Sequence, residues 1–173
     1  MFDFIKKLLS REKTSKKEKI ISFIIFFVYV AGLGYVSSTS AAPDAWYASL
    51  IKPEAMPPNY LFGIVWPILY IFLAVSAYYV WNHYKTTKFK RNLYVLFYAI
   101  NGILMYAWTK LFFGMHNMTG ALYVIIGIIV VAEIMIILAF SNKKRAAYYL
   151  FPFLLWILYA TYLNATILSL NPA

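Results

Sequence analysis

The chain has 173 residues, 63% of them hydrophobic and only 13% charged, about half the roughly 25% charged content of a soluble domain. Yet its formal net charge is +10, from 16 Lys+Arg against 6 Asp+Glu. So apolar a chain cannot clothe a water-facing surface, which excludes a soluble globular enzyme, a disordered chain and a nucleic-acid-binding domain. It points to a polytopic membrane protein with its basic residues in the loops. With no Cys, disulfides, thiolate catalysis, iron–sulfur clusters and Cys zinc sites are excluded together.

Residues 1–19 form a basic segment in which Phe2, Ile5, Leu8 and Leu9 fall at helical spacing among lysines. This suits either a short interfacial helix or a solvated tail. Five apolar stretches follow, each near the 20 residues that span a bilayer. They run over 20–38, 59–82, 92–113, 119–140 and 146–170. Lipid offers the backbone no partners, and the runs lack strict alternation, so the expected fold is an all-α bundle of five transmembrane helices.

The basic residues set the orientation. Seven precede the first span, four lie at 85–91 and three at 143–145, leaving only Lys52 and Lys110 on the opposite side. Lys and Arg accumulate in cytoplasmic loops, so the N-terminus is expected in the cytoplasm and the C-terminus outside. The membrane expected is the bacterial cytoplasmic one, with lipid headgroups rather than nucleic acid as the partner of the basic loops.

Between spans 1 and 2 lies the long external segment 39–58. Asp44 is a candidate cap for a short helix over 44–51, and Pro57-Pro58 punctuate the entry to span 2. The stiffness of this segment suggests a lid.

Trp46, Trp81 and Trp108 fall near span ends, as interface anchors do. Trp66 and Trp156 fall deeper, where an indole N–H needs an acceptor, so they are expected to pack within the bundle or line a cavity. Gly63, Trp66, Tyr70, Ala74 and Ala77 share one helical face beside Pro67. Asn101, Met105 and Trp108 share another, and Trp156, Ala160, Leu163 and Asn164 a third. Such faces make either a pocket for a flat apolar ligand or ordinary close packing. Glu133 is the one acidic residue inside a span, a candidate for proton-coupled export of small apolar molecules. His83 and His116 lie in loops and are taken as solvated. No metal-ligand spacing, catalytic triad order or phosphate loop occurs.

The order of motifs resembles the tryptophan-rich sensory protein/translocator protein (TspO/MBR) family. Trp46-Tyr47-x-x-Leu50-x-Lys52-Pro53, Pro57-Pro58, Gly63-x-x-Trp66, Leu69-Tyr70 and Trp81 are similar to its first half. Trp108, Phe112-Phe113-Gly114 and Pro152-x-x-x-Trp156-x-x-x-Ala160-Thr161-x-Leu163-Asn164 are similar to its second. The resemblance implies a five-helix bundle, often a homodimer, that binds porphyrins and in some members sterols or benzodiazepine-type drugs. It implies no required cofactor, with porphyrin or haem as the ligand. The site residues implied are Tyr47, Trp66, Tyr70, Trp108, Trp156, Ala160 and Asn164, with Ser37, Ser38 and Met105 beside them. Light-dependent porphyrin breakdown, reported for some bacterial members, would fall to Trp66 and Trp156. Three positions depart from the family pattern: Ala55 stands for a usual Trp, Met105 for a usual Asn and Val124 for a usual Asp. The implied pocket is therefore more apolar than usual.

Overall fold

The computed structural model describes residues 15–83 and 86–172. The candidate interfacial helix at Phe2–Leu9 lies outside them. Seven α-helices and one π-helical turn are present among these residues, and no strand. They are α1 (Lys16–Ser40), α2 (Ala45–Ser49), α3 (Asn59–Trp81), α4 (Lys88–Thr109), the π turn (Lys110–Gly114), α5 (Met118–Asn142), α6 (Lys144–Tyr148) and α7 (Phe151–Leu170). Five helical segments are long and apolar enough to cross a membrane, with α4 continuing into the π turn and α6 into α7. The protein is an all-α membrane bundle of five spans.

Local chemistry sets the helix ends. Ser15 and Glu18 form a reciprocal capping box at the start of α1, with bonds of 3.2 and 2.7 Å. Thr87 caps α4, so this helix begins at Lys88, several residues before its apolar run. Asn117 caps α5 through a 2.7 Å bond from the Gly120 amide. The last span is broken at Tyr149-Leu150 rather than continuous. Pro152 has no N–H to offer the Tyr148 carbonyl, and Leu150 bonds back to Ala147 at 2.9 Å to close the turn. Pro67 likewise leaves the Gly63 carbonyl without its helical donor, yet α3 runs on through it.

The spans form a closed ring in the order α1, α3, α7, α5, α4. The inner half, which holds the start of α1, is tightly filled, and the half beneath the α1–α3 segment is the outer half. Ala74, Ala77, Ala132, Ala139, Ala146 and Ala147 are all buried and let the helices approach closely. Buried hydroxyls of the spans there are paired, whereas Thr86 Oγ1, just before α4, is not. Ser76 Oγ lies 2.7 Å from the Tyr94 hydroxyl and donates to the Ala146 carbonyl at 2.8 Å. Tyr98 donates to Phe26 O at 2.8 Å and Tyr29 to Ala99 O at 2.6 Å, tying α1 to α4. Gly102 makes that approach possible, because a β-carbon there would stand 2.6 Å from the Tyr29 ring.

Candidate ligand cavity

The outer half of the bundle encloses a cavity of about 260 Å³ beneath the segment that joins α1 to α3. This lies just below the roughly 300–1,000 Å³ usual for ligand sites. Its walls come from α1, α3, α4 and α7, and its roof from α2 and the residues flanking it. Nine of the ten sequence-derived site residues line it: Ser37, Ser38, Tyr47, Trp66, Tyr70, Met105, Trp108, Trp156 and Ala160. No charged side chain is among the lining residues. Eight of the eighteen lining residues are aromatic. Trp66 and Tyr70 lie 5.8 Å apart on α3, and Phe62 meets Trp156 edge-on at 5.7 Å. Gly34 supplies room on α1, since any β-carbon there would collide with the Tyr70 phenol.

Asn164 is the residue not brought to the wall. It is buried behind Trp108, accepting from the indole N–H at 3.1 Å and donating to the Met118 carbonyl at 3.1 Å. Its amide is thereby spent on fixing Trp108 against α5. Trp156 differs, because its indole nitrogen is buried with no hydrogen-bond partner. An unpaired buried donor of this kind costs free energy, which the packing around it must offset. Met105 brings its thioether where an amide would otherwise sit, and Asn101 Nδ2 reaches its sulfur at 3.2 Å.

Of the face expected on α3, Trp66 and Tyr70 line the cavity. Ala74 and Ala77 are sealed in the core, and Gly63 is exposed. Sequence reading missed Leu33, Gly34, Asn59, Phe62, Tyr106 and Thr109, all of them lining residues. Phe62 stands one turn before Trp66, a signal that was available. The others are residue types that serve equally well in packing.

The roof is held at several points. Asp44 caps α2 by accepting from the Tyr47 amide at 3.0 Å. Its second oxygen lies 3.1 Å from His116 Nε2, and the imidazole stacks on Trp46 with ring centroids 4.1 Å apart. The Tyr47 amide bond, followed by His116, holds the Asp44 carboxyl below the usual range. His116 is therefore not simply a solvated loop residue. It has a left-handed backbone (φ 54°) just after the π turn, which directs the chain back beneath α2. Trp46 packs on His116 and Phe112 rather than standing alone as an interface anchor. At the far end of the segment, Asn171 pairs with both the amide and the carbonyl of Ile51 at 2.9 Å, and Tyr159 donates to Ala55 O at 2.6 Å. The Ala55 contact uses only backbone, so it does not depend on the side chain at this position.

Glu133 lies on the outward face of α5, exposed and away from the cavity. Its carboxyl is therefore not part of the cavity wall, where export of a cavity ligand through Glu133 would place it. Val124 is also outside the lining. No group of three His, Cys, Asp or Glu able to hold a metal ion occurs among the described residues.

The sequence model of the TspO/MBR family matches residues 23–170, all of the spanning body but the start of the first helix. The chain belongs to the TspO/MBR family. It is 31% identical over 157 residues to Protein CrtK of Rhodobacter capsulatus, covering 88% of this chain and 96% of that protein. It is 33% identical over 159 residues to the tryptophan-rich protein TspO of Chlorobaculum tepidum, covering 90% and 99%. With the human translocator protein it shares 31% identity over 119 residues, covering 69% and 70%.

Proposed function

We propose that this protein binds a planar apolar ligand of the porphyrin type in the outer-half cavity and acts in sensing, regulating or moving it. The observation that carries this reading is the aromatic, uncharged cavity in which Trp66, Trp108 and Trp156 come from three helices. Rings of this kind stack on a flat π-system. The family to which the chain belongs supports the same ligand class. At its present volume the cavity suits one edge of a macrocycle or a smaller planar molecule, so a whole porphyrin enters with displacement of the roof. In this reading the chain works as a homodimer in a bacterial cytoplasmic membrane, with its N-terminus in the cytoplasm.

The test is a porphyrin titration of the purified protein in detergent, read by tryptophan fluorescence. Saturable quenching is expected. It should weaken in Trp66→Phe and Trp156→Phe, which keep an aromatic wall and preserve folding. Absence of saturation in the parent protein would overturn the reading, as would identical titration curves for the parent and both variants.

A further inference from the structure

Trp156 stands in the wall between two spaces. On one side is the ligand cavity. On the other is a groove of about 400 Å³ along the seam of α3 and α7, lined by Ile68 and Phe72 from α3 and by Pro152 and Leu155 from α7. No charged side chain lines this groove either. Ile68 is 45% and Leu155 66% exposed, and residues 152–159 fall in the middle of the last span, Lys144–Leu170. In a bilayer the groove therefore opens to hydrocarbon. Its outer end is closed by Tyr159, whose hydroxyl is tied to Ala55 O in the roof at 2.6 Å.

Three features make this seam the weakest part of the cavity wall. Among the helix pairs that close the ring, α3 and α7 make the least contact. Trp156 rests there on ring contacts alone, with Phe62 and Tyr159 each 5.7 Å away between centroids. Its indole N–H has no hydrogen bond to lose on rotation, whereas Trp108 is pinned by Asn164 at 3.1 Å. An unpaired buried donor also raises the free energy of the closed position. A passage through the roof would instead break the bonds from Asp44 to His116, from Asn171 to Ile51 and from Tyr159 to Ala55.

We propose that Trp156 is a gate, and that the planar apolar ligand reaches the cavity sideways from the bilayer, through the α3–α7 seam, as this ring turns between rotamers. A flat apolar molecule partitions into hydrocarbon, so the groove meets it where it is concentrated. Displacement of the roof gives a large macrocycle its room once inside, and the seam is its way in. The gate presupposes the ligand site proposed above and adds the route to it.

The test separates route from site. The full chain is placed in phospholipid nanodiscs and mixed with protoporphyrin IX. Tryptophan quenching in stopped flow reads association, and its recovery on dilution into empty vesicles reads release. Ile68→Phe and Leu155→Phe narrow the groove without touching the cavity wall or adding a tryptophan. Together they should slow association and release by the same factor, about tenfold, because added rings oppose passage as overpacking opposes insertion. Kd should be unchanged. Ile103→Phe, at a 57% exposed position on α4, should leave both rates as they are. Phe62→Leu, which removes a ring that Trp156 rests on, should speed association. Saturable binding at parent rates in the double variant would overturn the seam as the route and leave the ligand site standing. Equal slowing by Ile103→Phe would overturn it too, since any added ring on the lipid side would then do the same. So would a changed Kd with unaltered association, which puts the groove in the site rather than on the path. No saturable quenching in the parent protein would overturn the ligand site, and the route with it.

Discussion

The inner and outer halves of the bundle are built from the same residue types, yet one is solid and the other hollow. In the inner half, Ala74 and Ala77 on α3 and Ala146 and Ala147 on α6 are fully buried, and the Tyr94 and Tyr98 hydroxyls are paired with Ser76 and the Phe26 carbonyl. In the outer half, α3 presents Trp66 and Tyr70 instead, and the broken last span presents Trp156 and Ala160. Large rigid rings cannot interdigitate as alanines do, and they leave space that small residues such as Gly34 and Ala160 enlarge. A cavity forms where ring size and backbone spacing are mismatched, not where the chain lacks apolar residues.

The sharpest way to break this contrast is to truncate one side chain in each half. Leu73→Ala, at a fully buried position, should cost about 2–5 kcal/mol, because a new cavity opens in close packing. Met105→Ala borders existing space and should cost clearly less. Unfolding by denaturing detergent, followed by circular dichroism, compares the two; equal costs would mean the outer half is as well packed as the inner.

A second change probes how the cavity wall is held. Asn164→Leu removes the acceptor for Trp108 Nε1 and the donor to Met118 O. It should cost about 1–3 kcal/mol through the groups left unpaired. It should also weaken porphyrin quenching without touching the ligand, because Trp108 loses its fixed orientation. Unchanged quenching together with lowered stability would confine Asn164 to packing.

The smallest effect belongs to the roof. The Asp44 carboxyl is held below its ordinary range by the Tyr47 amide and by His116. A depressed carboxylate stabilises the folded form above its unfolded value, and that contribution is lost as pH falls through the folded value. Ordering of α2 should therefore be constant down to about pH 4 and fade below it. Asp44→Ala should show the faded state at every pH. Hydrogen exchange at the amides of residues 45–49 reports it, and exchange independent of pH after correction for intrinsic rates would exclude the cap as the determinant.

Much of the architecture was legible in the chain itself. Bilayer thickness fixes the length of an apolar run, and lipid forces each run into a helix, so composition and spacing suffice for five spans. The basic loops give an expected orientation by the same local logic. Asp44 was readable as a cap because capping is a contact over three residues. The deep placement of Trp66 and Trp156 set them apart from span-end aromatics, and motif order named the family.

Other features required the fold. Periodicity assigned Asn164, Trp156 and Ala160 to one face, but only packing decides that Asn164 turns behind Trp108 while Trp156 keeps an unpaired N–H in the wall. Ala74 and Ala77 shared the face of Trp66, yet they meet other helices across a closed interface. His116 is separated from Asp44 and Trp46 by about 70 residues, and no local rule joins them. Glu133 read as an interior carboxyl because it lies within an apolar span; the rotation of α5 in the ring turns it outward. Sequence by itself determined which segments are helical and membrane-spanning, because those choices depend on contacts within a few residues and on the solvent. Tertiary structure decided which side of each helix meets a neighbour, a ligand or lipid, because that depends on how five helices settle around one another.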